Sequence, residues 1–190
     1  GFHDWYIGAT DRNAGVPKAV RDLTISFDYE DTDKLEEMFK KFKNKVAAVV
    51  MEPVIGQRHQ CSNCFNYEKN KYRSHPIKSF KACKKDPQIR ILKKIKEIAH
   101  KNDALLIFDE MISGFRFSTG GAGEYFGVIP DLATFGKGIT NGMPLGVLVG
   151  KKKYMKHFDK VFLSSTYAPE TLTLAAASAN IDFYKSKNVG

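Results

Sequence analysis

The sequence predicts an α/β protein, a mostly parallel sheet flanked by helices, on two observations. Short apolar runs that end in polar residues or glycine alternate along the chain with segments whose apolar residues recur at helical spacing. The strand-like runs are also short, as buried strands are. In order, Leu35, Met38, Phe39 and Phe42 mark an amphipathic helix over Asp33 to Lys43, behind Asp31 or Thr32 as cap. A strand over Val46 to Glu52 follows. Ile89, Leu92, Ile95, Ile98 and Ala99 mark the next helix, and strands are expected at Ala104 to Asp109, Leu132 to Phe135, Leu145 to Val149 and Val161 to Ser164. A last helix covers Leu172 to Lys185, with Ser164, Ser165 or Thr166 as a candidate N-cap.

At 190 residues, 43% hydrophobic and 12% aromatic, the chain can bury one substantial core, so one domain is expected. It has no run of about 18 apolar residues and no charged segment leading into an apolar one at its start, so neither a membrane span nor a signal peptide is read. The expectation is a cytoplasmic protein, a targeting segment upstream of residue 1 aside.

Two residues carry chemistry. Asp109 closes the apolar run Ala104 to Phe108, and Lys137 stands between Gly136 and Gly138 just after Leu132-Ala133-Thr134-Phe135. Both therefore fall at strand exits, where α/β sheets build their sites. An acid and a lysine so placed are what pyridoxal phosphate requires. A carboxylate beside the ring nitrogen favours its protonated form, which makes the ring an electron sink, while the lysine holds the cofactor as a Schiff base and later moves the Cα proton. The flanking glycines allow close backbone approach, and an apolar surrounding would lower the amine's pKa towards nucleophilicity.

Seven ordered segments carry a family resemblance: Val50-Met51-Glu52-Pro53-Val54, Leu106-Ile107-Phe108-Asp109-Glu110-Met111, Ser113-Gly114-Phe115-Arg116, Pro130-Asp131-Leu132, Gly136-Lys137-Gly138, Gly142-Met143-Pro144-Leu145-Gly146 and Ser165-Thr166-Tyr167. With these the chain resembles the class III aminotransferases of the fold-type-I pyridoxal phosphate enzymes, in the branch that contains glutamate-1-semialdehyde aminomutase. The resemblance implies part of a fold-type-I large domain over residues 1–190. It implies Lys137 as the Schiff-base lysine and Asp109 as the ring-nitrogen partner. Met111 matches the position that packs on one face of the pyridine ring, or is an ordinary core methionine. Thr166 matches the threonine that crosses a homodimer interface to the neighbouring subunit's cofactor phosphate, or is a helix cap. Glu52 matches a glutamate that shapes the site, or forms a salt bridge. The implied reaction is amino transfer between an amine or amino acid and a carbonyl compound. Intramolecular aminomutase action is the alternative, and an inactive remnant or metal-stabilised basic binding module is the alternative of another class.

Members of this family are generally more than twice as long. The stacking aromatic and the phosphate-gripping loop would fall before residue 1, so the chain reads as an internal fragment, inactive alone. Its net charge of +9 is concentrated between Gly56 and Lys101, where 13 Lys and Arg face 3 Asp and Glu. No nucleic-acid motif accompanies this charge, and Lys93, Lys94, Lys96 and Lys101 lie mainly opposite the apolar stripe, so it reads as a solvated face rather than a nucleic-acid surface. Cys61, Cys64 and Cys83 fall in the same stretch, which reads as a basic insertion at about 56–88. Cys61-x2-Cys64 resembles half of a zinc knuckle that Cys83 with His59 or His75 would complete; free cysteines in a loop are the other reading.

Overall fold

A computed structural model of the chain describes residues 7–54, 65–66, 71–72, 86–162, 166–167 and 170–187. The chain divides into two compact units, Gly1–Lys41 and Phe42–Gly190. The first contains a short helix α1 (Lys18–Arg21) and the amphipathic α2 (Thr32–Lys41). Asp31 is the cap of α2, its carboxyl accepting the Lys34 N–H at 2.9 Å, and Leu35 and Phe39, one helical turn apart, are buried.

The second unit is built on a four-stranded sheet with the order β1 (Ala48–Met51), β4 (Leu105–Asp109), β5 (Leu132–Phe135), β6 (Val147–Gly150). Strands β2 (Phe65–Asn66) and β3 (Lys71–Tyr72) form a separate antiparallel pair. β1, β4 and β5 run parallel, with Met51 opposite Phe108 and Asp109 opposite Thr134, while β6 returns antiparallel. A mostly parallel sheet needs crossover connections, and α3 (Pro87–Lys101) supplies one, packing on β4. Its start is set by Asp86, whose carboxyl accepts the Gln88 N–H at 2.9 Å, and by Pro87 in the first turn, where a missing N–H costs nothing. Leu92, Ile95 and Ala99 of α3 and Leu106 and Phe108 of β4 are wholly buried and form the centre of the core. The remaining helices are α4 (Gly121–Phe126), α5 (Lys152–Met155) and α6 (Thr171–Lys187).

Two expectations are corrected. Val161 and Phe162 are in no strand and are 59% and 93% exposed; the other residues of that run lie outside the described ones. Being apolar, the run satisfied a pattern that only a pairing partner turns into a strand. The cap of α6 is Glu170, whose carboxyl accepts the N–H groups of Leu172 at 2.8 Å and Thr173 at 2.6 Å, and not Thr166. Hydrogen bonds from the Thr173 side chain and the two backbone N–H groups hold the Glu170 carboxyl below the usual range.

Asp131 ties the second unit together. It is 1% exposed, yet its carboxyl accepts the Leu106 N–H of β4 at 2.9 Å, His100 Nε2 of α3 at 2.8 Å and the Lys151 ammonium at 2.6 Å. Burial alone would raise its pKa; the Lys151, Leu106 and His100 hydrogen bonds more than offset that and bring it down to about 2. Glu110, 1% exposed, does the same job for α4: its carboxyl accepts Ala122 N–H at 3.0 Å, Gly123 N–H at 2.8 Å and the Ser113 hydroxyl. Gly121 sits against it with φ at +82°, and a Cβ there would lie 2.7 Å from the carboxyl carbon. Glu110→Gln, which turns an amide towards one of these N–H groups, is expected to cost about 1.5 kcal/mol in urea unfolding.

Candidate active site

The exits of β1, β4 and β5 stand side by side and carry Glu52, Asp109 and Lys137 respectively. Alternation along β4 buries Leu106 and Phe108, leaving Asp109 half-buried on the other face with Leu105 and Ile107. Oδ1 of Asp109 accepts the Met111 N–H at 2.9 Å and is 3.5 Å from the Thr134 hydroxyl. Oδ2 takes no hydrogen bond among the described residues, so a second donor can be met there.

Lys137 opens a single 3₁₀ turn, Lys137–Ile139, directly after β5 and Gly136. Its φ is +42°, a left-handed conformation that L residues avoid. Asn44, Asp103 and Asn141 share that region and are types that tolerate it, whereas Lys137 and Phe115 (φ +64°) do not. Both of these costly residues line one cavity of about 340 Å³, together with Ile112, Arg116, Asn141 and Tyr184. No hydrogen bond or ion pair engages the Lys137 amine among the described residues. Gly136 has extended backbone, so space and not φ is what favours glycine here. A Cβ would overlap the Met111 sulfur and lie 3.1 Å from the Leu145 carbonyl. Met111 thus sits against the residue that precedes Lys137.

Of the sequence-predicted site residues, Asp109 and Lys137 lie at adjacent strand exits and Met111 sits against Gly136, but only Lys137 lines the cavity. Glu52 is half-buried one residue past β1, and no ion pair engages it among the described residues. Thr166 is exposed in a turn and does not line the cavity. Cys61, Cys64 and Cys83 lie outside the described residues, and among the described residues no His, Cys, Asp and Glu group could hold a metal ion. Sequence reasoning assigned no role to Arg116, Asn141 and Tyr184. Arg116 falls in Ser113-Gly114-Phe115-Arg116, but neither it nor the others has a sequence pattern that points to the cavity.

The family model for class III aminotransferases matches residues 85–189, more than half of the chain. The chain belongs to the class III aminotransferases. This family segment contains Asp109, Met111, Lys137 and the whole cavity lining. Among its relatives, the chain is 34% identical over its full 190 residues to 3-aminobutyryl-CoA aminotransferase of Cloacimonas acidaminovorans, covering 41% of that protein. It is 38% identical over 168 residues to glutamate-1-semialdehyde 2,1-aminomutase of Hydrogenobaculum sp., covering 87% of this chain and 34% of that protein. The chain therefore spans about two fifths or less of these relatives. In fold it is similar to the pyridoxal phosphate internal aldimine form of FumI from Sphingopyxis sp. MTA144, with a TM-score of 0.76 at 21% identity over 97% of this chain and 39% of that one. An omega-transaminase from Sphaerobacter thermophilus gives a TM-score of 0.69 at 24% identity, over 90% of this chain and 35% of that one. The class III aminotransferase chain is thus a fold-type-I α/β unit, as its sequence predicts. Among the described residues no helix is long and apolar enough to cross a membrane.

Proposed function

We propose that the protein carries out pyridoxal phosphate-dependent amino transfer between an amine or amino acid and a carbonyl compound. The observation that carries this reading is the unengaged Lys137 amine in left-handed backbone at the exit of β5, with the open Oδ2 of Asp109 at the exit of the adjacent strand β4. This donor set fits the cofactor: an amine to attach its aldehyde, an acid for its ring nitrogen and a sulfur-bearing side chain, Met111, against the glycine that precedes the lysine. When bound, pyridoxal phosphate supplies an electron sink for charge developing at the substrate Cα. The Lys137 amine would hold the cofactor and take up and return the substrate Cα proton, the Asp109 carboxyl would hold a proton at the ring nitrogen, and Met111 would border the ring and exclude water. Glu52 borders the same strand exits and shapes the site. Thr166, exposed, is available to the cofactor phosphate of a second copy in a homodimer. The same reading assigns residues 1–190 to the cofactor-binding large domain, with an insertion at about 56–88.

Borohydride reduction of the loaded intact protein and peptide mapping should find the pyridoxyl group on Lys137; an adduct on another lysine would sink the assignment. Asp109→Asn, which no longer favours the protonated ring nitrogen, is expected to lower turnover by about a hundredfold or more and to weaken cofactor binding. Unchanged turnover in steady-state assays would count against Asp109. Relatives named as aminomutases favour a second reading, transfer of the amino group within one molecule. Retention of a diamine intermediate, with isomerisation of one amino-carbonyl substrate in the absence of a second amino acceptor, would select it.

A further inference from the structure

Helix α6 meets the Lys137 turn with one face. Thr173 and Ala177 are buried and Asn180 and Tyr184 half-buried, a spacing that puts all four on one stripe, while Leu172, Leu174 and Phe183 are exposed. The 3₁₀ turn at Lys137–Ile139 packs against this helix, and its carbonyls have specific partners. Lys137 O accepts the Asn141 N–H at 2.9 Å. The next two carbonyls, of Gly138 and Ile139, both accept from Nδ2 of Asn180, at 2.6 and 3.0 Å. One amide nitrogen with two hydrogens thus satisfies two successive acceptors that a turn this short leaves without internal partners. One helical turn further on, the Tyr184 ring lies 5.2 Å from that of Phe115, which in turn stands edge-on to Phe135 at 5.9 Å. Phe135 is the last residue of β5.

The Lys137 backbone occupies a conformation that costs energy, so it persists only where surrounding contacts over-determine it. Local backbone hydrogen bonds supply three ties, from Ile139 N–H to the Gly136 carbonyl at 3.1 Å and from the N–H groups of Thr140 at 3.4 Å and Asn141 at 2.9 Å to the Lys137 carbonyl. Asn180, from a separate helix, supplies the two that fix the carbonyls immediately after Lys137.

We propose that Asn180 is a positioning residue for Lys137, holding the turn so that the amine presents a fixed attachment geometry to the carbonyl carbon it binds. This rests on the assignment of Lys137 as the cofactor lysine. Loss of the tie would let the turn relax towards ordinary backbone angles and swing the stem of the lysine, altering the orientation of the linked nitrogen and hence its affinity for a proton.

The test uses the intact protein loaded with pyridoxal phosphate and three variants. Asn180→Leu keeps the volume and removes the donors, Asn180→Asp replaces the donors by acceptors, and Asn180→Gln keeps the donor group on a longer stem. Visible absorbance of the imine is titrated against pH, and cofactor dissociation is measured. The imine pKa in Asn180→Leu and Asn180→Asp is expected to move by about half a unit or more, with cofactor binding weakened about tenfold, and Asn180→Gln to recover part of both. If Asn180→Leu does not fold, the same readouts on Asn180→Asp decide. A variant that melts earlier while its imine pKa and cofactor affinity stay as in the parent overturns the proposal and leaves Asn180 as a packing residue. Borohydride trapping on the parent separates the two ideas. An adduct away from Lys137 overturns the underlying assignment and this proposal with it, whereas an adduct on Lys137 with unmoved Asn180 variants overturns this proposal alone.

Discussion

Lys137→Ala is expected to abolish the covalent link to pyridoxal phosphate and to lower amino transfer by more than about a thousandfold. Both functions assigned to the amine, attachment and movement of the Cα proton, disappear together, and among the described residues no other lysine lines the cavity. The fold should survive. Alanine keeps the Cβ and so keeps the penalty of about 1–2 kcal/mol for left-handed backbone at this position, while Lys137→Gly removes it and should melt at or above the parent temperature. The pair of variants therefore separates chemistry from stability: activity falls in both, and melting temperature in neither. Steady-state amino transfer and thermal melts of the two are the measurements. Residual turnover within tenfold of the parent would falsify the assignment of Lys137.

Much of this site was legible because it follows from local pattern. The run Leu132 to Phe135 matches β5 residue for residue, and Asp109 closes β4 as the apolar run requires. Strand exits then dictate that Asp109 and Lys137 are neighbours, since parallel strands in adjacent positions end on the same edge. What the sequence did not disclose depends on side chains that reach across the fold. Helix α4 has only six residues and no apolar period; its start is held by the carboxyl of Glu110, twelve and thirteen positions away from the N–H groups it accepts. Asn180 is one polar residue in an alanine-rich helix, and its amide donates to carbonyls 41 and 42 positions earlier. Helix ends moved for the same reason in miniature: the period marked Ile89 as the first apolar residue of α3, while Asp86 and Pro87 set its start.

Asp131 was visible only as the middle of Pro130-Asp131-Leu132, and its role should dominate the acid stability of the second unit. Asp131→Ala leaves the Leu106 N–H buried without an acceptor and strands the Lys151 ammonium and His100, so a loss of about 3 kcal/mol is expected in urea unfolding near neutral pH. Lys151 and His100 are 42% and 39% exposed and can turn to water, which keeps the loss at the low end for a broken buried pair. Asp131→Asn is the sharper probe. Its amide oxygen can still accept from Leu106, so it removes mainly the charge. The folded pKa of Asp131, about 2, lies below its unfolded value, so its ionisation stabilises the fold above about pH 4 and that contribution is lost as pH falls through about 2. The shift is equivalent to about 2 kcal/mol. Stability measured against pH should therefore show the parent falling between about pH 4 and pH 2 more steeply than Asp131→Asn, the two curves converging at the acid end. Parallel curves across that window would mean that Asp131 is not ionised in the fold, and would remove the charge argument for its junction of α3, β4 and Lys151.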